Sequence, residues 1–248
     1  MSDAGFGAAL DFSGKRVLLT GAAGGFGRAM AELFAVQGAS PVLADLPSEE
    51  LAQLAERHGA PSHGYDQADL DAVERLAADA GAVDVLVNNA GVLESKPLLD
   101  TTASDILRLL AVDLAGVMAL IIAVGRGMVE RRRGTVLMIG SQTALYGARG
   151  RGVYAAAKAG VSQLARTAVE WAPYGVRVVC LAPGRVLTPM SAVALADPAA
   201  HAAGLEHIPL GRYGTPEEIA RMAVFLALDA ASYVTGSTVV ADGGYLLL

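Results

Sequence analysis

Cysteine, lysine and aromatic residues are scarce in this 248-residue chain. Cys180 is the lone cysteine, which excludes internal disulfides and any cysteine-based metal cluster. Lys15, Lys96 and Lys158 are the only lysines, and the net charge is −6 at pH 7. That balance argues against a polyanion-binding surface and so against a nucleic-acid partner. The one cationic run, residues 131–133, suits the end of a helix, where cations complement the dipole. No apolar run reaches the ~20 residues that span a bilayer; the greasiest, 114–125, is short and Asp113 interrupts it upstream. Residues 1–13 lack a basic flank, a long apolar stretch and a secretory cleavage pattern, and are expected to be loose. His201 and His207 have no acid-rich cluster around them, so no metal site is expected. What remains is a chain that is 53% hydrophobic, expected to form one large domain over 14–248 with a sizeable core. A cytoplasmic enzyme or binding protein with no membrane partner fits these bounds.

The first half alternates strand and helix. Arg16–Thr20 reads as a buried strand, followed by TGAAGGFG and then helical periodicity over 28–37. Glycines let the chain turn sharply and let a pyrophosphate approach a helix N-terminus, where free N–H groups favour anions. Gly21, Gly25, Phe26 and Gly27 are therefore cofactor candidates. Ser40–Asp45 reads as the second strand. Its terminal Asp45 stands about 20 residues beyond the glycines, where a carboxylate bonds the adenosine ribose and repels a 2′-phosphate, favouring NAD over NADP. A second helix over 48–58 with Ser48 as its cap, a short strand closing at Tyr65 and Asp66, a helix over 69–80 and a strand over 83–88 complete the pattern. Such alternation means right-handed βαβ units and a parallel sheet, with ligands at the carboxyl ends of its strands.

In the second half Tyr154 and Lys158 lie four residues apart in an Ala-rich, proline-free run, so one helix face carries both. A fixed ammonium beside a phenol favours phenolate, which makes the tyrosine an acid or base usable nearer neutral pH.

Taken together, these segments resemble the short-chain dehydrogenase/reductase family. TGAAGGFG matches its T-G-x-x-x-G-x-G turn, and NNAG at 88–91 the motif beside the adenosine ribose. Residues 154–158 match Y-x-x-x-K, with Ser141 thirteen residues before Tyr154. PGRVLT at 183–188 matches the segment facing the nicotinamide carboxamide, and DGG at 242–244 the C-terminal signature. The resemblance implies that Asn88, Ala90, Gly91, Pro183, Gly184, Val186 and Thr188 contact the cofactor, with Asp66 beside the adenine. It also implies that Lys158 holds the nicotinamide ribose, Tyr154 exchanges the proton, Ser141 positions the substrate oxygen, and the chain forms a homotetramer.

One position departs from the pattern. The family carries Asn where this chain has Asp113, and that Asn supports a proton-relay water beside the lysine. Asp has nearly the same shape but lacks the amide donor, and it brings negative charge towards Lys158. The relay is expected to survive, since a carboxylate still accepts from water, with the lysine pKa raised.

Gln142 and Tyr146, directly after Ser141, are expected to line the substrate pocket. Arg151 could grip an anionic or polyhydroxylated substrate, or, with Arg149, face solvent or a neighbouring subunit. Residues 185–213 break periodicity and suggest a lid. Thr215, Pro216 and Glu218 mark a capped helix start, Thr238–Ala241 a last strand, and the terminal leucines a packing surface.

The expectation is a Rossmann-like doubly wound α/β domain, with a seven-stranded, mostly parallel sheet and helices on both faces. Its function would be NAD-linked interconversion of a small secondary alcohol and a ketone. The alternatives are an NADP-linked ketone or 3-oxoacyl-thioester reductase, and an NAD-binding protein without turnover.

Overall fold

The computed structural model describes residues 11–188, 191 and 197–247. The first ten residues, Leu248 and parts of the 185–213 segment fall outside them, so the expectations of a loose N-terminus, of a lid and of the last leucine lie largely outside the described residues. The elements in chain order are β1 (Arg16–Thr20), α1 (Gly25–Val36), β2 (Ser40–Asp45), α2 (Glu49–His58), β3 (Ser62–Gly64), α3 (Leu70–Ala80) and β4 (Val85–Asn88). Then come α4 (Ala103–Leu110), α5 (Val117–Glu130), β5 (Gly134–Ile139), α6 (Gly152–Thr167), β6 (Val176–Pro183), α7 (Pro198–Leu205), α8 (Pro216–Ala227) and β7 (Thr238–Ala241). The strands form one sheet in the order β3-β2-β1-β4-β5-β6-β7. Every pairing is parallel, where a mostly parallel sheet was expected. Strand order reverses between β1 and β4, the switch point at which doubly wound sheets bind ligands.

The strands are apolar on both sides because both faces are covered. Along β1, Val17 and Leu19 pack on one face with Phe12, Phe34 of α1 and Ile219 of α8. Leu18 packs on the other with Leu120 of α5 and Val161 of α6. Caps fix the helix starts: the Ser48 hydroxyl accepts from the Leu51 amide, and Thr215 and Glu218 form a reciprocal capping box.

Several boundaries differ from the sequence reading, β4 among them, which begins at Val85 rather than at 83. Helix α1 begins at Gly25, inside the glycine turn, because the turn itself supplies the first helical residues. Strand β3 ends at Gly64, so Tyr65 and Asp66 follow it rather than close it. A further difference concerns apolar length. Residues Ala103–Glu130 run as one 28-residue helix, long and apolar enough to cross a membrane by length and composition. Asp113 does not interrupt it; a wider turn over Ala111–Gly116 carries the helix past that residue. Here α5 packs on α3, α6, β4 and β5 as a layer of the fold.

Phe34 is fully buried and meets Phe12 edge-on at 5.1 Å between ring centroids. Phe34→Ala is expected to destabilise the fold by about 3–5 kcal/mol, read as a lowered urea midpoint with an unchanged slope.

Candidate active site

A cavity of about 1090 Å³ opens at the carboxyl ends of the strands. That is at the upper end of small-molecule sites, room enough for a dinucleotide and a small substrate together. One end is built by the glycine turn. Gly21 has φ +62°, and a Cβ there would stand 2.8 Å from the Ala90 Cα. Gly27 fits only as glycine, because an added Cβ would overlap the Gly21 carbonyl oxygen. The Thr20 hydroxyl accepts from the amides of Asn89 and Ala90, while the Asn89 side chain donates to the Thr20 and Gly21 carbonyls at 3.0 Å each. Strand β4 and the glycine turn are thereby bolted together. The N-cap of α1 is Gly24, which offers no side-chain cap, and no acid lies in the first turn. Its free N–H groups suit a pyrophosphate. Asp45 accepts from the Ala23 amide at 2.8 Å and the Leu46 amide at 2.8 Å, so its carboxylate is pinned at the rim of this end. Asp66 is an exposed wall residue nearby and accepts from the Ala68 amide.

The reacting end is built from β5, α6 and the wide turn between α4 and α5. Ser141 follows β5; its hydroxyl oxygen accepts from the Thr143 amide at 3.2 Å and the Thr143 hydroxyl at 2.9 Å. Both contacts are accepted, so its own proton is free to donate. Tyr154 and Lys158 project from α6, with the ammonium 5.7 Å from the phenol ring centre. Lys158 is buried, donates to the Ile139 carbonyl at 3.3 Å and lies 3.2 Å from Asp113 Oδ1. Asp113 is fully buried, and the same oxygen accepts from the Val92 amide. Its other oxygen, Oδ2, has no partner among the described residues. A Cβ on Gly91 would meet Asp113 Oδ1 at 2.5 Å and the Lys158 ammonium at 3.1 Å, so glycine is required where β4 exits beside the pair.

The electrostatics follow from burial and charge. Burial alone would lower the pKa of Lys158, but the negative charges of Tyr154 and Asp113 and the contact to Asp113 outweigh it and hold the ammonium above the ordinary lysine range. Burial raises the carboxyl of Asp113 in spite of the nearby ammonium.

The cavity wall includes Gly21, Gly25, Phe26, Asp45, Asp66, Ala90 and Gly91 of the expected cofactor residues. It also includes Pro183, Gly184, Val186 and Thr188, together with Ser141, Gln142, Tyr146, Arg151, Tyr154, Lys158 and Asp113. Two expected cofactor residues lie behind it. Asn88 is buried and donates to the Val117 carbonyl of α5 at 3.2 Å; as the last residue of β4 it points into the helix layer, and Asn89 faces the glycine turn instead. Gly27 is a packing glycine under the turn. His207 is exposed and lines the cavity, whereas the ring of His201 packs on Tyr213 at 4.9 Å. Among the described residues no cluster suits a metal. The buried thiol of Cys180 is pushed up by burial and lies in β6, consistent with an inert core residue.

Sequence reasoning missed Gln67, Arg185 and Tyr245. Buried Gln67 donates to the Ala90 and Val112 carbonyls and accepts from Tyr65, tying the turn after β4 to the wide helical turn. Arg185 sits inside the 183–188 motif and Tyr245 directly follows the DGG turn, so both had a local marker. That turn is held by Asp242, which accepts from the amides of Gly244 and Leu246.

A glycine-turned end suited to a dinucleotide and an end that brings half-buried Tyr154 together with buried Ser141 and Lys158, on one doubly wound sheet, define a nucleotide-dependent oxidoreductase of the Rossmann type. Residues 21–246 match a family model described as enoyl-(acyl carrier protein) reductase. The 3-oxoacyl-[acyl-carrier-protein] reductase FabG of Thermotoga maritima is 38% identical over 94% of this chain and 98% of its own. D-threitol dehydrogenase of Mycolicibacterium smegmatis is 37% identical over 94% of each chain. Among solved structures, one titled gox2181 aligns with TM-score 0.94 at 30% identity, covering 98% of this chain and 100% of its own. A Beutenbergia cavernae structure, titled a putative NAD(P)-dependent gluconate 5-dehydrogenase with bound NADP, aligns with TM-score 0.93 at 35% identity over 97% and 100%. The chain belongs to the short-chain dehydrogenase/reductase family and is an NAD(P)-dependent oxidoreductase acting on CH–OH groups.

Asp113→Asn removes one negative charge beside Lys158. Because that charge raises the lysine pKa, the variant is expected to move both limbs of the pH profile of kcat/KM to lower pH at saturating cofactor. An unchanged profile would overturn the idea that the Asp113 charge tunes Lys158.

Proposed function

We propose that residues 14–248 form one NAD-binding domain that interconverts a secondary alcohol and a ketone. The observation that carries this is the convergence of Ser141, Tyr154 and Lys158 in the cavity wall, with the ammonium buried against Asp113. The Ser141 proton, left free by its two accepted bonds, donates to the substrate oxygen and fixes it beside Tyr154. Tyr154 takes the hydroxyl proton in oxidation and returns it in reduction. Lys158 stabilises the phenolate and reaches towards the nicotinamide ribose. Val186 and Thr188 orient the carboxamide. The nicotinamide, when bound, accepts or gives the hydride. The wide turn at 111–116 holds Asp113 where it can accept from a relay water through Oδ2.

NAD is preferred to NADP in this reading because the pinned Asp45 carboxylate at the rim of the glycine-turn end would repel a 2′-phosphate. The 3-oxoacyl relatives and the NADP in the Beutenbergia structure support the NADP-linked ketone reductase as the second reading. Assembly as a homotetramer fits the apolar side chains that α4 and α5 leave exposed, among them Leu107, Met118 and Ile122. A cytoplasmic setting agrees with the single buried thiol.

Tyr154→Phe is expected to lower kcat by about 10²–10⁴-fold while NADH binding, read by fluorescence, persists. Asp45→Ser is expected to raise the ratio of NADP⁺ to NAD⁺ efficiency by about tenfold or more, measured as kcat/KM for each cofactor with a common alcohol.

A further inference from the structure

The cavity is charged oppositely at its two ends, and the positive end is where the substrate belongs. Its only carboxylates among the described residues are Asp45, Asp66 and Asp113. The first two stand at the glycine-turn end, and the third is engaged by Lys158. Beyond Ser141 and Tyr154 the wall instead carries Arg149, Arg151, Arg185 and His207. Of the carboxylates outside the cavity wall, Glu94 pairs with Arg108 and Glu218 with Arg212. Asp242 accepts backbone amides. Among the described residues the guanidinium groups of Arg151 and Arg185 have no carboxylate partner; Arg185 is engaged only by Tyr245. In a chain of net charge −6, unmatched cations gathered in one concavity are a local feature rather than a consequence of composition.

The geometry around Tyr245 makes this a built site. Its ring stands between three segments: the Tyr146 ring at 5.4 Å, the His207 ring at 6.0 Å and the Arg185 guanidinium over its face at 5.3 Å. Contact with the ring holds the planar guanidinium, and its remaining N–H groups are left for a ligand. Arg185 and Arg151 are both half-buried, unlike the exposed Arg149. They approach Tyr245 from different elements; although burial opposes this, the hydrogen bonds to Tyr146 and Arg185, and then the positive charges of Arg185 and Arg151, draw its hydroxyl below the ordinary tyrosine range. Gln142 adds a buried Oε1 with no partner among the described residues, an acceptor for a substrate hydroxyl.

We propose that the substrate carries an oxyanionic substituent, in the first instance a carboxylate, gripped by Arg185 and Arg151 beside Tyr245, so that the enzyme is a hydroxy-acid dehydrogenase. This rests on the alcohol-oxidising reading above. The carbinol carbon loses its hydrogen as hydride to the oxidised nicotinamide, two electrons passing with it. The hydroxyl proton passes to Tyr154, the C–O bond becomes C=O, and the carboxylate leaves unchanged. Arg185 and Arg151 act on specificity: a planar fork pairs with a carboxylate through two parallel bonds, which a neutral substituent cannot match.

The test uses the full-length enzyme with NAD⁺ and, in parallel, NADP⁺, and a panel of four- to six-carbon hydroxy acids, each paired with its primary amide and with a phosphate ester of the matching diol. The expected result is that kcat/KM for at least one acid exceeds that of its amide by about tenfold or more. Arg185→Met and Arg151→Met should each reduce that ratio about tenfold, chiefly through KM, whereas Arg166→Met, a change of an exposed arginine on the far part of α6, leaves it in place. The carboxylate lacking the hydroxyl should inhibit competitively against the acid, and its inhibition constant should rise by the same factor in both variants. A preference for the phosphate ester over the acid keeps the anion site and reassigns its ligand. Equal or better turnover of the amides overturns the proposal and leaves the oxidoreductase reading standing. Absence of turnover across the panel and across neutral secondary alcohols overturns both.

Discussion

A buried ammonium has to be satisfied, and the reacting end of this protein is arranged around that requirement. Lys158 brings its charge to a place only a few per cent exposed, where an unpaired cation would be strongly destabilising. Three elements supply its surroundings: the end of β5 through the Ile139 carbonyl, the wide turn between α4 and α5 through Asp113, and its own helix through Tyr154. The strand that exits beside them must be glycine at position 91. Moving any of these parts leaves the charge unmatched, so the interaction sets the mutual position of β4, β5, α6 and the α4–α5 turn. The mutual placement of Tyr154, Lys158 and Asp113 thus follows from satisfying one cation.

The other end follows a different logic, that of backbone donors. The glycine turn carries no side-chain cap for α1, and its shape is imposed from outside by the Thr20 hydroxyl, the Asn89 amide and the Asp45 carboxylate. These partners come from β1, β4 and β2, the strands around the point where the sheet order reverses. Anion-binding amides held rigid by a neighbour's side chains need no reorganisation when a ligand arrives.

Most strands were legible because residues such as Val17–Leu19 and Val85–Val87 are apolar at consecutive positions, as burial on both faces demands. Helix starts at Ser48 and Thr215 were legible because the cap chemistry is local. The cavity wall was legible where the family pattern fixes a residue type, as at Tyr154 and Lys158. It failed where orientation depends on the pleat: Asn88 and Asn89 are identical in kind, yet successive side chains point to opposite sides, so one serves the helix layer and the other the glycine turn. Arg185 and Tyr245 escaped because their proximity, across sixty residues of chain, exists only after β6 and β7 have paired. The long helix was misjudged for a related reason. Asp113 looked like a break in an apolar run, but a wide turn and an ion pair absorb it, and composition alone does not report that a charge is neutralised by a partner elsewhere in the chain.

Asp113 also bears on where an anion would be drawn. With an amide at that position, Lys158 would be the most deeply buried uncompensated cation in the cavity and would attract any carboxylate towards the nicotinamide ribose site. The carboxylate at 113 places a balancing charge 3.2 Å from the ammonium. The unmatched positive charge of the cavity then lies at Arg151 and Arg185, beyond the reacting hydroxyl. An acidic substrate entering this field is oriented with its anionic end away from Lys158, which leaves its carbinol group towards Ser141 and Tyr154. Pairing at the buried lysine and vacancy at the two arginines are, on this argument, two halves of one electrostatic arrangement.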